Sequence, residues 1–290
     1  MKTRLTTLML VAAALLASCS NDDALQTTVN DNDGRKAVTV TATLPEGSMT
    51  TRAAGAEDAA VARCFVQVLD AEGNLLDDDF SDVKQMTASN NGFSTTVYLN
   101  PNDTYTFLFW ADSDNSGSAP TDLKAVTYNQ SGEVIAWVGK ENATWSATGV
   151  TAELKHAVAR ITVHSSTAVE LSGENNFTVV VPTTYTTYNV YSGDVSGNQT
   201  SYTYTDGNSS CTEDGDLCHF YVLVAANQEN QTLTLQYNGV LGNPAVTVDN
   251  VPLKANWHTT LSGDVYNLDL TNGTIAATIS EEWTDENRNF

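Results

Sequence analysis

Apolar and polar residues alternate one by one along much of this chain, a period that belongs to half-buried β-strands rather than to helices. Val38, Val40, Ala42 and Leu44 alternate with Thr39, Thr41 and Thr43. The same style predicts strands at 65–69, 93–99, 105–111, 134–138 and 154–164. It continues at 177–181, 185–191, 218–225, 232–237, 245–248, 258–261, 265–270 and 274–283. Turn signals such as Asp70-Ala71-Glu72-Gly73-Asn74 and Pro101-Asn102-Asp103 lie between them. Only Ala53–Ala62 has a composition suited to a short helix. Strands at this spacing, without helical stretches, predict an all-β protein built of β-sandwiches. With 290 residues, a prior of ~150 residues per domain gives two domains. The polar segment Ala168–Asn176, with Gly173, is the expected boundary between domains at 37–170 and 171–290.

Charge and motifs remove whole classes of function. Acidic residues number 35 against 13 basic ones, a net charge of −22, so the basic footprint that nucleic acid requires is missing. Phosphate-binding loops, dinucleotide fingerprints and the G-x-S-x-G elbow are all absent. Carboxylates are so abundant that a pair of them carries no hydrolase signal. No enzyme activity, no metal and no cofactor is expected. Asp112-Ser113-Asp114-Asn115-Ser116-Gly117 looks like half a calcium loop, but Leu123 stands at the twelfth position where a bidentate Glu belongs. His156, His164, His219 and His258 have no ligand spacing. His156 and Arg160 share one strand parity and read as solvent-side or interface residues. Trp110, Trp137 and Trp145 read as core residues, with a sugar-stacking platform as the alternative.

The N-terminus reads as an address. Lys2 and Arg4 precede an apolar run, Leu8–Leu16, which is shorter than the ~20 residues needed to span a bilayer. Residues 1–18 therefore read as a signal peptide. Leu16-Ala17-Ser18-Cys19 resembles a bacterial lipobox, which implies cleavage before Cys19 and acylation of that residue, palmitate included. Several acyl chains anchor stably where one does not, so the expected state is a lipid-anchored protein with a polar tether over 19–36. Acidic residues just after Cys19, Asp22 and Asp23, resemble the surface-export signal of Bacteroidales lipoproteins. That implies a surface-exposed place on the outer membrane.

Several segments together resemble the fimbrillin family, the type V pilus subunits of Bacteroidales. They are the lipobox at Cys19; Thr51-Arg52-Ala53; the stretch Asn102–Ala111, ending in Trp110-Ala111; Leu154–Val163; Val251–Gly263; and the closing Glu281-Glu282-Trp283. Two departures stand out: His156 occupies a place where family patterns often carry Arg, and the tail after Trp283 is short and polar. The resemblance implies two transthyretin-like β-sandwich domains and a subunit that assembles by donor-strand exchange and mediates adhesion. A trypsin-like maturation protease would cut between Arg52 and Ala53. The first strand, with Val38, Val40, Ala42 and Leu44, would then leave. A C-terminal strand of another copy, or of a related pilus subunit, would fill the groove. The polymer would form a fimbrium. The alternative is a surface glycan-binding lipoprotein that does not polymerise.

The residues can be read against that picture on their own. Ile275, Ala277, Ile279 and Trp283 share one parity, broken by Glu281, and form the candidate donor strand. Burying Val38, Val40 and Leu44 is worth roughly 5–9 kcal/mol at ~1.5–3 each, comparable with the ~5–15 kcal/mol stability of a whole domain. Both segments are equally well read as ordinary strands of closed sandwiches. Cys211 and Cys218 close a short polar loop around Gly215, and in an exported protein a disulfide between them is expected, worth roughly 2.5 kcal/mol. Cys64, in a strand, reads as a buried free thiol.

Overall fold

A computed structural model of the chain describes residues 34–45, 61–76, 81–89, 92–114, 117–145, 149–171, 175–197, 200–238, 245–265 and 275–282. Residues 36–290 form one compact unit and residues 1–35 another. Cys19, Arg52, Ala53 and Trp283 lie outside the described residues, as do residues 53–60 of the helix candidate Ala53–Ala62 and residues 266–270 of the strand candidate over 265–270.

The described residues contain strands and no α-helix, as the alternating pattern predicts. The first half holds β1 (Lys36–Thr43), β2 (Arg63–Asp70), β3 (Lys84–Gln85), β4 (Thr87–Ser89), β5 (Gly92–Leu99), β6 (Thr104–Asp112), β7 (Val126–Thr127), β8 (Ala136–Thr144), β9 (Val150–Glu153) and β10 (Lys155–His156). Two sheets, in the orders β4-β5-β1-β9 and β10-β8-β6-β2-β3, enclose a first core that includes Val40, Phe107, Trp110 and Trp137. β6 is buried along nearly its whole length, which is why its sequence, Tyr-Thr-Phe-Leu-Phe-Trp-Ala, is almost unbroken in hydrophobicity.

The second half holds β11 (Val158–Ser165), β12 (Val169–Glu170), β13 (Asn176–Thr184), β14 (Thr187–Tyr188), β15 (Val195–Ser196), β16 (Thr200–Asp206), β17 (Ser210–Cys211), β18 (Gly215–Leu223), β19 (Glu229–Asn238), β20 (Ala245–Leu253), β21 (Trp257–Gly263) and β22 (Ala276–Glu282). Sheets ordered β18-β11-β21-β22 and β16-β13-β19-β20 enclose a second core around Phe177, Phe220, Leu235 and Leu261.

Three features differ from the sequence reading. The strand expected over 154–164 is two strands. β10 pairs with β8 of the first core, while β11 pairs with β18 and β21 of the second. The chain thus passes from one core to the other between Val158 and Ala159, ahead of the expected boundary at 168–176. Ala157, Val158 and Ala159 are buried together, so no polar stretch marks the crossing. The strand expected over 185–191 is mostly an excursion. Only Thr187 and Tyr188 pair in it, with β15 and with β7 of the first half. Tyr185, Tyr188 and Val190 are part of the first core, together with Val158, Tyr221 and Leu223. Finally, His156 and Arg160 are buried, at 3% and 9% exposure, rather than solvent-side. The ring of His156 lies 5.4 Å from that of Trp137, and its backbone N–H donates to Asn256 Oδ1 at 3.1 Å.

Candidate functional site

β1 is the first described strand, yet it sits inside its sheet. It pairs antiparallel with β5, from Lys36 opposite Leu99 to Ala42 opposite Phe93. It pairs in parallel with β9, from Val40 beside Val150 to Thr43 beside Glu153. Its inward residues Val38, Val40 and Ala42 are at most 2% exposed, and Leu44 packs part-buried against the same core. The Thr43 hydroxyl donates to the Ala152 carbonyl at 3.1 Å. Two glycines press on the strand's backbone. A Cβ on Gly149, whose φ is +85°, would lie 2.5 Å from the Thr39 carbonyl oxygen, and a Cβ on Gly92 would run into that of Ala42. The neighbours are thus shaped to a strand in this place, and taking β1 out would leave a slot with an unpaired edge on both sides.

β22 is the opposite case. Among the described residues it lies at the edge of its sheet and pairs with β21 alone, from Ser262 opposite Ala276 to Trp257 opposite Glu282. Ile275 and Ala277 are part-buried against the second core. The backbone of Ile279 pairs with Thr259. Among the described residues, the candidate donor strand thus has one neighbour, and its Ile275 and Ala277 rest on its own second core.

Among the described residues, the three cysteines Cys64, Cys211 and Cys218 are free. Cys211 and Cys218 do not form the expected disulfide. Cys218 is buried in the second core, where burial pushes its thiol well above the usual range. Cys211 Sγ lies 3.9 Å from the Thr167 carbonyl oxygen. Short loop spacing indicated a closure that these two thiols do not make. Their loop is held another way, which the sequence reading missed: the two ring nitrogens of His164 lie 2.7 Å from Asp216 Oδ1 and 3.2 Å from Asp214 Oδ1. Cys64 is buried and free, and desolvation pushes it up to about 12.

The half calcium loop has another use. Asp112 accepts from Arg63 Nε at 2.7 Å, from Trp110 Nε1 at 2.7 Å and from the Asp114 N–H at 3.2 Å. Asp114 accepts from the Gly117 N–H at 3.0 Å and from Asn129 at 3.1 Å. The carboxylates are satisfied by protein donors around a cavity of about 330 Å³. Among the described residues, no group of three metal-ligating side chains converges. Trp110 and Trp137 are 1% exposed, so they cannot offer their faces to a sugar.

A family model for DUF6562, described as a family of unknown function, matches residues 29–289. No curated protein matches the sequence. Solved structures do match the fold. A candidate cell adhesion protein from Bacteroides uniformis is 16% identical, with 87% of this chain and 100% of that one covered and a TM-score of 0.55. One from Bacteroides ovatus is 15% identical, covering 86% and 98%, with a TM-score of 0.54. A fimbrial assembly protein from Parabacteroides distasonis is 11% identical, covering 85% and 99%, with a TM-score of 0.53. The chain is similar to these proteins in fold, in line with its fimbrillin-like sequence segments.

Proposed function

The chain belongs to the DUF6562 family, and from its fold we propose that it is a non-enzymatic structural subunit of a surface fimbria serving cell adhesion. Cys19 carries the lipid that holds the precursor on the outer membrane. A trypsin-like protease cuts between Arg52 and Ala53. The first strand, with Val38, Val40, Ala42 and Leu44, leaves together with the tether. A C-terminal strand, with Ile275, Ala277, Ile279 and Trp283 as candidate donor residues, then fills the slot in another subunit.

The observation that carries this reading is the interior place of β1. An ordinary first strand at a sheet edge could be lost with one ladder left open. Here the loss opens two, between β5 and β9, and uncovers Val97, Phe93 and Val150 on the same sheet. Such a slot is stable only when it is refilled. The match of fold to a protein described as a fimbrial assembly protein supports the same reading.

The test is N-terminal sequencing of assembled material from native cells, seen as heat-sensitive, detergent-resistant ladders. It should begin at Ala53, and Arg52→Ala should abolish the ladders. Cys19→Ala should release the precursor from membranes. Polymer that retains residues 38–44, or ladders unchanged in Arg52→Ala, would overturn strand removal.

A further inference from the structure

Two heptapeptides of this chain, 235 positions apart, share three of seven residues and carry similar apolar residues at two more. Residues 40–46 read Val-Thr-Ala-Thr-Leu-Pro-Glu and residues 275–281 read Ile-Ala-Ala-Thr-Ile-Ser-Glu. Alanine, threonine and glutamate recur at the same places, and isoleucine stands for valine and for leucine. Residues 40–43 of the first segment are the end of β1, and residues 276–281 of the second lie in β22.

Resting on the strand-replacement reading above, we propose that β22 of one copy of this chain enters the β1 slot of a second copy in a single register. Ile275, Ala277 and Ile279 take the places of Val40, Ala42 and Leu44. Ala42 is what fixes the register. It is fully buried, as is Val40, and its own carbonyl is pressed by Gly92. A slip of two residues in either direction puts an isoleucine in the alanine's place, and it also puts Ala277 where Val40 or Leu44 packed. The centre is then overfilled and one end left hollow, both of which are destabilising. A slip of one residue turns Ala276, Thr278 and Ser280 inward and the isoleucines outward.

In this register the incoming strand inherits the pairing of β1. Ala277 stands opposite Phe93 on β5 and beside Ala152 on β9, and Thr278 stands beside Glu153, where Thr43 was. Thr278 carries the same hydroxyl as Thr43, which donates to the Ala152 carbonyl. The strand also gains a neighbour. In its own chain it is paired on one side by β21, whereas the slot pairs it on both. Each copy has one slot and one such segment, so the contact is head-to-tail and propagates as an open filament.

Disulfide trapping between separate chains tests both partner and register. Ala276→Cys is placed in one chain and Ser94→Cys in another, each with Cys211→Ser and with a sequence-specific protease site replacing residues 49–52. Thr41 and Ser94 are directly opposed across β1 and β5, and opposed residues of a ladder are close enough for a disulfide. The two proteins are cut, mixed and oxidised, and the linked peptides are identified by mass spectrometry. The Ala276→Cys chain should link to the Ser94→Cys chain at least tenfold more than to a Thr96→Cys chain. Adding Ala277→Leu to the donor should cut that link at least tenfold while the donor itself stays soluble. A dominant link to Thr96→Cys overturns the register and leaves strand replacement standing. A link found only within a chain carrying both substitutions overturns the second copy as partner. Cut chains that lose β1 and remain unlinked monomers by size-exclusion chromatography overturn strand replacement itself, and this proposal with it.

Discussion

His164 is the residue where charge and structure are most directly coupled. It sits at the irregularity between β11 and β18, with carboxylates at both ring nitrogens. Hydrogen bonds to Asp216 and then Asp214 raise its pKa above the ordinary 6.5. A folded pKa above the unfolded one means that the charged ring is favoured by folding. The stabilisation is then fully present below about pH 6.5 and is lost as pH rises through the folded pKa. NMR titration should place His164 above 6.5, and Asp216→Asn should bring it most of the way back. The stability difference between the two proteins should shrink from pH 6 to pH 8; a His164 that titrates at 6.5 or below would contradict the geometry. Asp214 and Asp216 are largely exposed, so the effect on total stability is small. None of this was legible in the sequence, because His164 and Asp216 lie 52 residues apart. The same holds for Asp112, which lies in a stretch that looks like half a calcium loop while its partner Arg63 lies 49 residues away.

At the scale of elements, strands with strict alternation were legible and short pairing partners were not. Val38–Leu44, Phe93–Leu99 and Thr232–Tyr237 stand within the observed β1, β5 and β19 or run at most a residue beyond them, because a period of two needs only five or six residues to declare itself. β9 is four residues long and β7 two, too short for any period, yet β9 is what makes β1 an interior strand. The slot could therefore be suspected from the sequence but not located. Gly149 tests how tightly it is built. Gly149→Ala places a Cβ against the Thr39 carbonyl in a left-handed backbone conformation, so it should destabilise the protein by at least about 1 kcal/mol in denaturant titration. An unchanged midpoint would mean that β1 is held more loosely than its geometry indicates.

The whole molecule is less divisible than two sandwiches in series. The excursion over 185–196 brings Tyr188 to within 5.9 Å of Trp110, ring to ring. Gln130 bonds β18 through the Tyr221 carbonyl and the Leu223 N–H, at 2.9 and 3.1 Å. Thermal unfolding of the full chain should show one transition, and Tyr188→Ala should lower it by about 3–5 kcal/mol, the range for removing a buried large aromatic. Two separate transitions, with only the first moved, would show that the cores melt independently. The sequence suggested a linear boundary because it records order along the chain, not which turn folds back. That folding back has a temporal side. Polypeptides are made from the N-terminus at ~5–20 residues per second, and the first sandwich takes its last residue, Leu223, from 65 positions beyond Val158. For roughly 3–13 s at that pace, a nascent chain holds every strand of its first sheets and still lacks Leu223, the last residue of the core they enclose. Throughout that interval an apolar face lies open to any binding partner that waits for unfinished proteins.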